Sequence, residues 1–309
     1  MIKIAYIFPG QGAQYIGMGE DFYQEYTQSR EVFKQADELL HFDLTQLIFK
    51  GPFEELTKTA YCQMAIFTVS IACLRAFETE FPDITPSFTA GLSLGEYTAL
   101  VAAGALTFEQ GLKLVNIRGQ YMEKASQLNP GGMVSVIGMP FEEVEKIAQE
   151  AGAQIANLNC PGQVVVSGDS ATLEKVKEKA HNQGAKKTIS LHVGGAFHSS
   201  FMEPARQELV KALEQIEVRA PNVPVVSNVS ATFGHSPQEI RENLARQVVS
   251  KTLWESSVRL MSSQGVKEFV EIGPGKVLKG LLRKIDPGLK VYNVENTKGL
   301  RMLKEELSS

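Results

Sequence analysis

The pentapeptide G-L-S-L-G at residues 91–95 places a serine, Ser93, where its hydroxyl could act as a nucleophile. An extended run over 84–90 leads into it, and a helix-forming run over 96–103 follows. In such a sharp strand-to-helix turn the serine oxygen stands clear of the backbone, and the flanking glycines accept the tight dihedral angles. The start of the helix also offers N–H groups to an oxyanion. The context therefore predicts that Ser93 is a nucleophile.

A serine is a weak nucleophile without a base, and the five histidines of the chain are the candidates. His198 follows two glycines at the junction between two predicted folding units, which suits a base; a structural histidine is the alternative. The other four lie in polar helix ends, an exposed turn or a strand interior and are expected to be exposed or structural: His41, His181, His192 and His235.

A carboxylate that would complete a catalytic triad is not evident. The only aspartate between Ser93 and His198 is Asp169, which lies inside the smaller predicted unit. A hydrolase triad of the order Ser…Asp/Glu…His also places its histidine near the chain end, whereas a long segment follows His198 here. The sequence therefore favours a Ser-His dyad in which a backbone carbonyl or an amide side chain orients the imidazole ring.

Arg118 is a charged residue on a mostly apolar helical stretch that begins at Leu112. A surface arginine or a structural salt bridge is the ordinary interpretation. A buried arginine near Ser93 would instead suit a substrate carboxylate, because the planar guanidinium binds a carboxylate through two parallel hydrogen bonds. The sequence alone leaves these alternatives open.

Two glycine-rich loops are incomplete as nucleotide-binding motifs. The loop over 10–15 has Tyr15 where a dinucleotide fingerprint has its third glycine, and the loop over 273–277 has Val277 where a phosphate loop has Ser or Thr. The first is better interpreted as a tight turn that offers backbone N–H groups to an oxyanion. No group of His, Cys, Asp and Glu has metal-ligand spacing, so no metal site is predicted.

Strands alternate with helices along most of the chain, which predicts a mostly parallel sheet covered by helices on both faces. Ligands bind such sheets beyond the carboxyl ends of the strands, where the loops at 9–14 and 273–276 and Ser93 are all predicted to lie. The elements predicted outside residues 129–195 are strands at 1–8, 84–90, 223–228, 266–272 and 290–294, and helices at 31–40, 53–81 with a break near Tyr61, 96–103, 107–127 with Thr107 as N-cap, 200–217, 239–249, 254–264 and 277–285.

The pattern changes after N-P-G-G at 129–132. From there to residue 195 the order is β-α-β-β-α-β, which is typical of a ferredoxin-like arrangement. The elements are predicted at 133–137, 141–152, 154–158, 164–167, 171–183 and 187–193. The predicted fold class is α/β: a large domain of residues 1–128 and 196–309 with a mostly parallel sheet, plus an inserted ferredoxin-like α+β subdomain of residues 129–195.

The bulk composition argues against several function classes. The 309 residues are 43% hydrophobic and 21% charged with a net charge of −4, which does not favour nucleic acid or an anionic membrane as a partner. Three cysteines without paired spacing fit a reducing compartment. The apolar N-terminal run is too short for a signal peptide, and no run approaches about 18 apolar residues, so we expect a cytoplasmic protein with no membrane span.

The order and spacing of the motifs resemble those of the malonyl-CoA:acyl carrier protein transacylase family over essentially the whole chain. The motifs are F-P-G-Q-G-A-Q at 8–14, A-G-L-S-L-G-E-Y at 90–97, R-G at 118–119, N-C-P-G-Q at 159–163, G-A-F-H-S at 195–199, P-V-V-S-N-V at 224–229, Gln247, and E-I-G-P-G at 271–275. The resemblance implies a hydrolase-like large domain and a ferredoxin-like small one, in agreement with the pattern of strands and helices.

The resemblance also implies roles for residues around the serine. Ser93 would accept the acyl group, and His198 would be its base. The backbone N–H groups of Gln11 and Leu94 would form the oxyanion hole.

Two further roles and two departures follow from the same resemblance. Arg118 would pair with the malonyl carboxylate, and the main-chain carbonyl of Gln247 would orient His198, which is consistent with the missing triad acid. Leu92 stands where many members have a histidine before the nucleophile, and this difference bears on acyl preference or rate. C-Q-M at 62–64 replaces the T-Q-P of many relatives, and we expect a packing variation only.

The implied activity is transfer of a malonyl group from CoA to the phosphopantetheine thiol of acyl carrier protein, through a malonyl-serine intermediate, in fatty acid biosynthesis. The expected partners are malonyl-CoA and acyl carrier protein; no cofactor is expected, and the protein is expected to be a monomer. The alternatives are a serine esterase or thioesterase, and a non-catalytic acyl-carrier-binding protein. A basic stretch on one helix either docks the acidic carrier protein or is a solvated face: Lys276, Lys279, Arg283 and Lys284.

Overall fold

Two β-sheets of different kinds form the framework of the protein. The computed structural model describes residues 3–308, so the first two residues of the predicted N-terminal strand lie outside the described range. The strands within that range are β1 (Ile4–Phe8), β2 (Phe88–Gly91), β3 (Gly132–Ile137), β4 (Gln154–Cys160), β5 (Gln163–Gly168), β6 (Lys187–Ser190), β7 (Val225–Val226), β8 (Phe233–Gly234), β9 (Glu268–Ile272) and β10 (Lys290–Val294).

Helices pack around both sheets, and a 3-10 turn at Ser200–Met202 precedes α10. The N-cap predicted at Thr107 is confirmed, because its side chain and that of Gln110 form a capping box at the start of α7. The helices are α1 (Glu20–Glu25), α2 (Thr27–Leu40), α3 (Leu44–Lys50), α4 (Phe53–Leu56), α5 (Thr59–Glu80), α6 (Gly95–Ala102), α7 (Phe108–Leu128), α8 (Phe141–Ala151), α9 (Ser170–Asn182), α10 (Glu203–Glu214), α11 (Pro237–Gln247), α12 (Trp254–Ser263), α13 (Val277–Ile285) and α14 (Thr297–Ser308).

The larger sheet has the strand order β10-β9-β1-β2-β7-β8, and all neighbours are parallel except β7 and β8. The central strand β1 is buried on both faces, as expected where helices cover both sides of a sheet. Phe8 at the end of β1 lies opposite Gly91 at the end of β2, and Ile7 lies opposite Glu271 on β9. The loops after these three strands therefore leave the sheet at one edge, as predicted.

Helix α5 forms the centre of the main core, and every residue from 62 to 74 is buried. Among residues 3–308 it is the one helix long and apolar enough to cross a membrane, although 83% of its most apolar window is buried inside the protein. It packs against α7 at Gly119, where an added Cβ would lie 2.9 Å from the carbonyl oxygen of Thr59. This close contact fixes Arg118 of α7 beside α5.

The smaller sheet is antiparallel, with the order β4-β5-β3-β6. Helices α8 and α9 pack on it through a separate hydrophobic cluster that includes Val134, Val166, Ile147 and Val176. The predicted β-α-β-β-α-β order and ferredoxin-like arrangement are therefore confirmed. The exact boundaries of that unit, residues 129–195, remain a prediction.

The small sheet also contacts the large one beside the segment that carries the candidate base. The N–H of Thr252 donates to the carbonyl of Ala156 at 2.8 Å, and the Thr252 carbonyl accepts from the N–H of Leu158 at 2.9 Å, so a loop of the large unit extends the edge strand β4. The Ser167 hydroxyl on β5 donates to the carbonyl of Phe197 at 2.5 Å. Both contacts tie the small sheet to the edge where the large sheet's loops emerge.

Two predicted boundaries in the first third of the chain differ from those observed. The helical tract predicted over 53–81 breaks at residues 57–58 rather than near Tyr61. The strand predicted over 84–90 is shortened to β2, because Pro86 has no N–H to donate to a neighbouring strand.

Other differences lie further along the chain. The strand predicted over 187–193 ends at Ser190, so His192 lies beyond β6. The strand predicted over 223–228 is reduced to β7; Pro224 has no N–H to donate, although its carbonyl accepts from the N–H of Thr89 at 3.0 Å. Helices α1, α3 and α14 and strand β8 were not predicted, since these segments are short or mostly polar.

Candidate active site

Ser93 lies in the turn between β2 and α6 with a φ of +51°, in the left-handed region that residues other than glycine seldom adopt. The neighbouring glycines explain the tightness of the turn. A Cβ on Gly91 would lie 1.9 Å from the carbonyl carbon of Gly95, and a Cβ on Gly95 would lie 2.1 Å from the carbonyl oxygen of Phe8. The strand, the turn and the helix can meet β1 only if both positions are glycine.

Asn228, in the loop after β7, holds the strained turn by its side chain. Its Oδ1 accepts from the N–H of Ser93 at 2.6 Å, and its Nδ2 donates to the carbonyl of Gly91 at 2.7 Å. Asn228 is buried, so these bonds are shielded from water. Sequence reasoning quoted the motif that contains Asn228 but gave the residue no role; its place beyond a strand at the same sheet edge was the available signal.

His198 and Ser93 are in contact. The Nε2 atom of His198 lies 2.9 Å from Ser93 Oγ, and its Nδ1 lies 2.9 Å from the main-chain oxygen of Gln247. No carboxylate bonds to the ring among residues 3–308, and the hydroxyl of Thr252 lies 3.5 Å from Nδ1. The geometry is that of the predicted dyad with a carbonyl oxygen in the place of a triad acid.

The imidazole of His198 is neutral at ordinary pH. Burial, reinforced by the nearby positive charge of Arg118, lowers its pKa to about 4. Because a carbonyl oxygen can only accept, Nδ1 carries the proton and donates to Gln247, and Nε2 is left to accept from the Ser93 hydroxyl. The ring is therefore in the tautomer that a general base requires.

Arg118 is buried, with 2% of its surface exposed, so the surface interpretation is wrong. Its Nη1 donates to Oε1 of Gln63 at 2.6 Å, and its Nη2 donates to Ser93 Oγ at 2.9 Å and to Oε1 of Gln247 at 3.0 Å. Within residues 3–308 it bonds to no carboxylate, so the salt-bridge interpretation is wrong too, and Nε has no acceptor. The guanidinium lies over the ring of Tyr97, 5.6 Å from its centroid.

Gln63 and Gln247 hold the guanidinium from two sides. Gln63, on α5, also donates from Nε2 to the sulfur of Met122 at 3.4 Å, so its amide is fixed with the oxygen towards Arg118. Gln247 donates from Nε2 to the carbonyl of Ser93 at 2.9 Å. Gln63 is the residue that C-Q-M shares with T-Q-P; the two departures, Cys62 and Met64, are both buried in the main core, and the expected packing variation at them stays a prediction. An amide in the middle of an apolar helix was the signal that sequence reasoning passed over.

A buried carboxyl group, Glu96, lies behind the site. Its Oε2 accepts from Nε2 of Gln247 at 2.6 Å and from the N–H of Asn228 at 3.3 Å. Burial raises the pKa of Glu96 to about 7, against the opposing effect of these hydrogen bonds and of Arg118. Sequence reasoning missed Glu96, although a carboxylate in an otherwise apolar helix start is unusual.

Gln11 and Leu94 face the same cleft as Ser93. Among residues 3–308, neither backbone N–H donates to a protein acceptor, so both are available to a ligand. The loop that carries Gln11 approaches the serine turn closely, because a Cβ on Gly10 would lie 2.5 Å from the carbonyl oxygen of Leu92. The arrangement fits a two-donor oxyanion site.

The cleft has a volume of about 230 Å³ and lies between the two sheets. The small sheet contributes apolar side chains such as Met133 and Val165, and α13 contributes Val277 and Leu281. A larger open groove of about 750 Å³ between α13 and α14 is lined by Lys276, Lys279 and Arg283 of the basic stretch, and by none of the residues that contact Ser93 or Arg118. The cleft, rather than this groove, is where the Ser93 hydroxyl, the His198 imidazole and the buried guanidinium of Arg118 meet.

Comparison with known proteins bears on the family of this site. Residues 5–298 match the family described as Acyl transferase domain. The malonyl CoA-acyl carrier protein transacylase of Bacillus subtilis (strain 168) is 44% identical, over 99% of this chain and 99% of its own. The chain belongs to the malonyl-CoA:acyl carrier protein transacylase family. The motifs identified in the sequence are thus those of a true relative.

Solved structures of the transacylase family share the fold. The transacylase from Clostridium perfringens superposes with a TM-score of 0.94 at 38% identity, covering 99% of this chain and 97% of its own. A type II PKS acyl-carrier protein in complex with its malonyl-transacylase provides a second match, with a TM-score of 0.94 at 37% identity over 98% of this chain and 99% of the other. The expected α/β fold with a small antiparallel subdomain is therefore confirmed.

A metal centre has no support from the part of the chain that the structure describes. Residues 3–308 contain no group of three or more His, Cys, Asp and Glu side chains that could hold a metal ion.

Proposed function

We propose that the chain transfers a malonyl group from malonyl-CoA to the phosphopantetheine thiol of acyl carrier protein, in fatty acid biosynthesis. One observation carries this conclusion: Ser93 Oγ lies 2.9 Å from both a neutral imidazole nitrogen of His198 and a buried guanidinium nitrogen of Arg118. Acyl transfer uses the contact between Ser93 and His198. A substrate with a free carboxylate explains why a buried guanidinium lies beside the same hydroxyl. The family supports both, since its relatives are named for the same reaction.

Acylation begins when the Ser93 hydroxyl attacks the thioester carbonyl of malonyl-CoA. Its proton moves to Nε2 of His198, whose Nδ1–H remains bonded to the carbonyl of Gln247. The tetrahedral intermediate then collapses: the carbon–sulfur bond breaks, and the CoA sulfur takes the proton from His198. A malonyl ester on Ser93 remains.

The oxyanion of that intermediate is stabilised by the backbone N–H groups of Gln11 and Leu94. Both line the cleft beside Ser93 and have no other acceptor in the described chain. Donors already in place before the reaction need no reorganisation, and each is worth about 3 kcal/mol in comparable enzymes.

Transfer to the carrier protein is the reverse chemistry with a new sulfur. The phosphopantetheine thiol gives its proton to His198 and attacks the ester carbonyl, and Ser93 Oγ leaves and recovers the proton. One thioester replaces another, so the overall free energy changes little. The kinetics follow a ping-pong pattern, because CoA departs before the carrier protein reacts.

Arg118 selects the malonyl group. Both protons of Nη2 are engaged, by Ser93 and Gln247, and one proton of Nη1 is engaged by Gln63, so a carboxylate that binds two donors takes the place of at least one of these acceptors. A carboxylate bound to this guanidinium would fill the polar end of a cleft that is otherwise largely apolar, and would leave little room for water near the ester.

Helix α13 is the proposed docking surface for the carrier protein. The carboxylate of Glu271 accepts from the N–H groups of Leu278 and Lys279, both at 2.9 Å, and so fixes the start of the helix, whose residues Val277 and Leu281 line the cleft. Lys284 donates to Oε1 of Gln163, which lines that cleft. The complex of a relative with an acyl-carrier protein supports the carrier as partner.

We also propose that the enzyme is cytoplasmic and needs no cofactor. The malonyl group arrives already activated as a CoA thioester, so the described residues supply only a nucleophile, a base and hydrogen-bond donors. Cysteines that show no disulfide are consistent with a reducing compartment.

The decisive experiment is to incubate the protein with malonyl-CoA and measure its intact mass. We expect one malonyl group on Ser93, stable until acyl carrier protein is added, and none on the Ser93→Ala variant. Rapid release of free malonate would instead support the hydrolase alternative. No covalent species and no transfer would support a protein that only binds the carrier.

A further inference from the structure

Glu96 and Arg118 are two buried groups of opposite charge that do not touch. Glu96 is 3% exposed and Arg118 is 2% exposed. The amide of Gln247 lies between them: Nε2 donates to Oε2 of Glu96 at 2.6 Å, and Oε1 accepts from Nη2 of Arg118 at 3.0 Å. Arg118 therefore balances the charge of Glu96 through one intervening side chain.

Glu96, the carbonyl of Ser93 and Arg118 all require the same orientation of the Gln247 amide. A carboxylate can only accept, so the amide must turn its N–H₂ group to Glu96 and its oxygen to Arg118. Glu96 thereby acts on the guanidinium through Gln247, and the guanidinium in turn donates to Ser93 Oγ.

Binding of a malonyl carboxylate would disturb this balance. One buried positive charge would then face two negative charges, and the surplus charge is costly in a site closed to water. Neutralising Glu96 restores the balance. The two hydrogen bonds that the described chain gives to this carboxyl both end on Oε2, so Oε1 is available for a proton.

We propose that Glu96 is the counter-charge that Arg118 exchanges for the malonyl carboxylate, and that Glu96 takes up one proton from solvent when the malonyl group binds. The inference rests on the proposed function, because it needs the malonyl carboxylate at Arg118. It assigns Glu96 as a positioning residue whose charge sets how strongly the site binds a carboxylate at a given pH.

The other titratable groups around this network do not share the proton. His198 contacts Gln247, and burial keeps its pKa at about 4, so it stays neutral above that pH. Tyr97 lies against Arg118, and burial raises the pKa of its phenol well above the usual value. Burial raises the pKa of Glu96 to about 7, which leaves it ionised in the free enzyme above neutral pH.

The sign of the pH dependence follows from linkage. Above about pH 7, malonyl binding must draw a proton from solvent, so affinity falls by up to about tenfold per pH unit. Below about pH 6, Glu96 is already protonated and affinity no longer depends on this group. Acetyl-CoA has the same nucleotide phosphates without the carboxylate, so it is the matched ligand.

The experiment is calorimetric titration of the Ser93→Ala protein, which cannot turn over, with malonyl-CoA and acetyl-CoA at pH 8 in two buffers of different ionisation enthalpy. We expect uptake of close to one proton per malonyl-CoA beyond the acetyl-CoA value. With Glu96→Gln added, the uptake should vanish, and malonyl-CoA should bind several-fold more tightly at pH 8.5 than it does with Glu96 present.

Equal proton uptake for the two ligands in the Ser93→Ala protein would overturn the inference, whether or not the Glu96→Gln protein folds. A different result would contradict the proposed function. The Ser93→Ala protein would then bind malonyl-CoA no more tightly than acetyl-CoA, or it would keep its preference for malonyl-CoA when Arg118→Ala is added. If the preference for malonyl-CoA depends on Arg118 but malonyl-CoA binding takes up no extra proton, the proposed function is supported and the role of Glu96 is refuted.

Discussion

Ser93 Oγ and His198 Nε2 lie 2.9 Å apart although 105 positions separate the two residues in the chain. Both have backbone angles in the left-handed region, with φ of +51° and +57°. Two strained residues that meet at one point indicate that the surrounding structure, rather than local preference, fixes their geometry. The hydrogen bond between them is thus built by the fold as a whole.

The first prediction concerns the pH dependence of acylation. Because burial lowers the pKa of His198 to about 4, malonyl loading at saturating malonyl-CoA should be constant from pH 8 down to about pH 5.5 and should fall only towards pH 4. Single-turnover loading followed by quenched mass spectrometry measures this profile. A midpoint near pH 6.5 would mean that the imidazole is solvated and that the buried geometry is wrong.

The same pKa shift has a consequence for stability. The unfolded chain protonates this imidazole near pH 6.5, whereas the folded protein resists protonation until about pH 4. The free energy of unfolding should therefore fall as the pH drops from 6.5 towards 4, and His198→Gln should reduce that slope in chemical denaturation.

The second prediction separates the two contacts of the buried arginine. Arg118→Ala removes the carboxylate partner and should lower malonyl loading by at least about 30-fold, equivalent to about 2 kcal/mol. Acetyl loading should fall less, because the acetyl group has no carboxylate to lose its partner, and only the contacts of Arg118 within the protein are removed. Arg118→Lys is the matched control, which keeps the charge without the two-pronged geometry. Equal losses with both acyl donors would refute the role in carboxylate binding.

The third prediction concerns the asparagine behind the nucleophile. Asn228→Ala leaves the N–H of Ser93 without its acceptor, so the rate of loading should fall at least about tenfold with little change in KM for malonyl-CoA. The free energy of unfolding should fall by about 1–3 kcal/mol. Ser230→Ala, in the exposed turn that follows, is the control and should change neither quantity. An unchanged loading rate in Asn228→Ala would show that the turn at Ser93 keeps its conformation without the Asn228 side chain.

The fourth prediction tests the docking helix. Charge reversal of Lys279 and Arg283 to glutamate should raise KM for acyl carrier protein several-fold and leave KM for malonyl-CoA unchanged. Lys175→Glu on α9 is an exposed lysine of the small unit and provides the control. Rising salt should weaken the carrier interaction in the parent protein and much less in the reversed variant. If the charge reversal leaves the KM for acyl carrier protein unchanged, the basic residues of α13 form a solvated face and do not bind the carrier.

The sequence predicted the sharp turn that carries Ser93 and the sheet edge where it lies, because their signals are local. Ser93 stands out between Gly91 and Gly95, and the strand-to-helix context is read within a few residues. The parallel sheet and the ferredoxin-like order follow from alternation of strands and helices, which depends on the hydrophobic period alone.

The residues that hold the site together could not be predicted, because their signals are not local. Gln63 meets Arg118 across 55 positions, and Glu96 meets Gln247 across 151. Gln63 and Glu96 are polar residues in apolar stretches of sequence. That context shows that each is unusual, but it does not identify the residue that each contacts. The burial of Arg118 also could not be predicted from the sequence of α7 alone, because the residues that cover its side chain lie on α5 and at Gln247.

Thr252 gives its backbone to the edge of the small sheet, five residues after Gln247 gives its carbonyl to the imidazole. The two sheets thus share one short length of chain that also supports the base. A compound that wedged between that chain and β4 would misalign the imidazole without entering the acyl cleft. Inhibitors of this enzyme need not resemble either of its substrates.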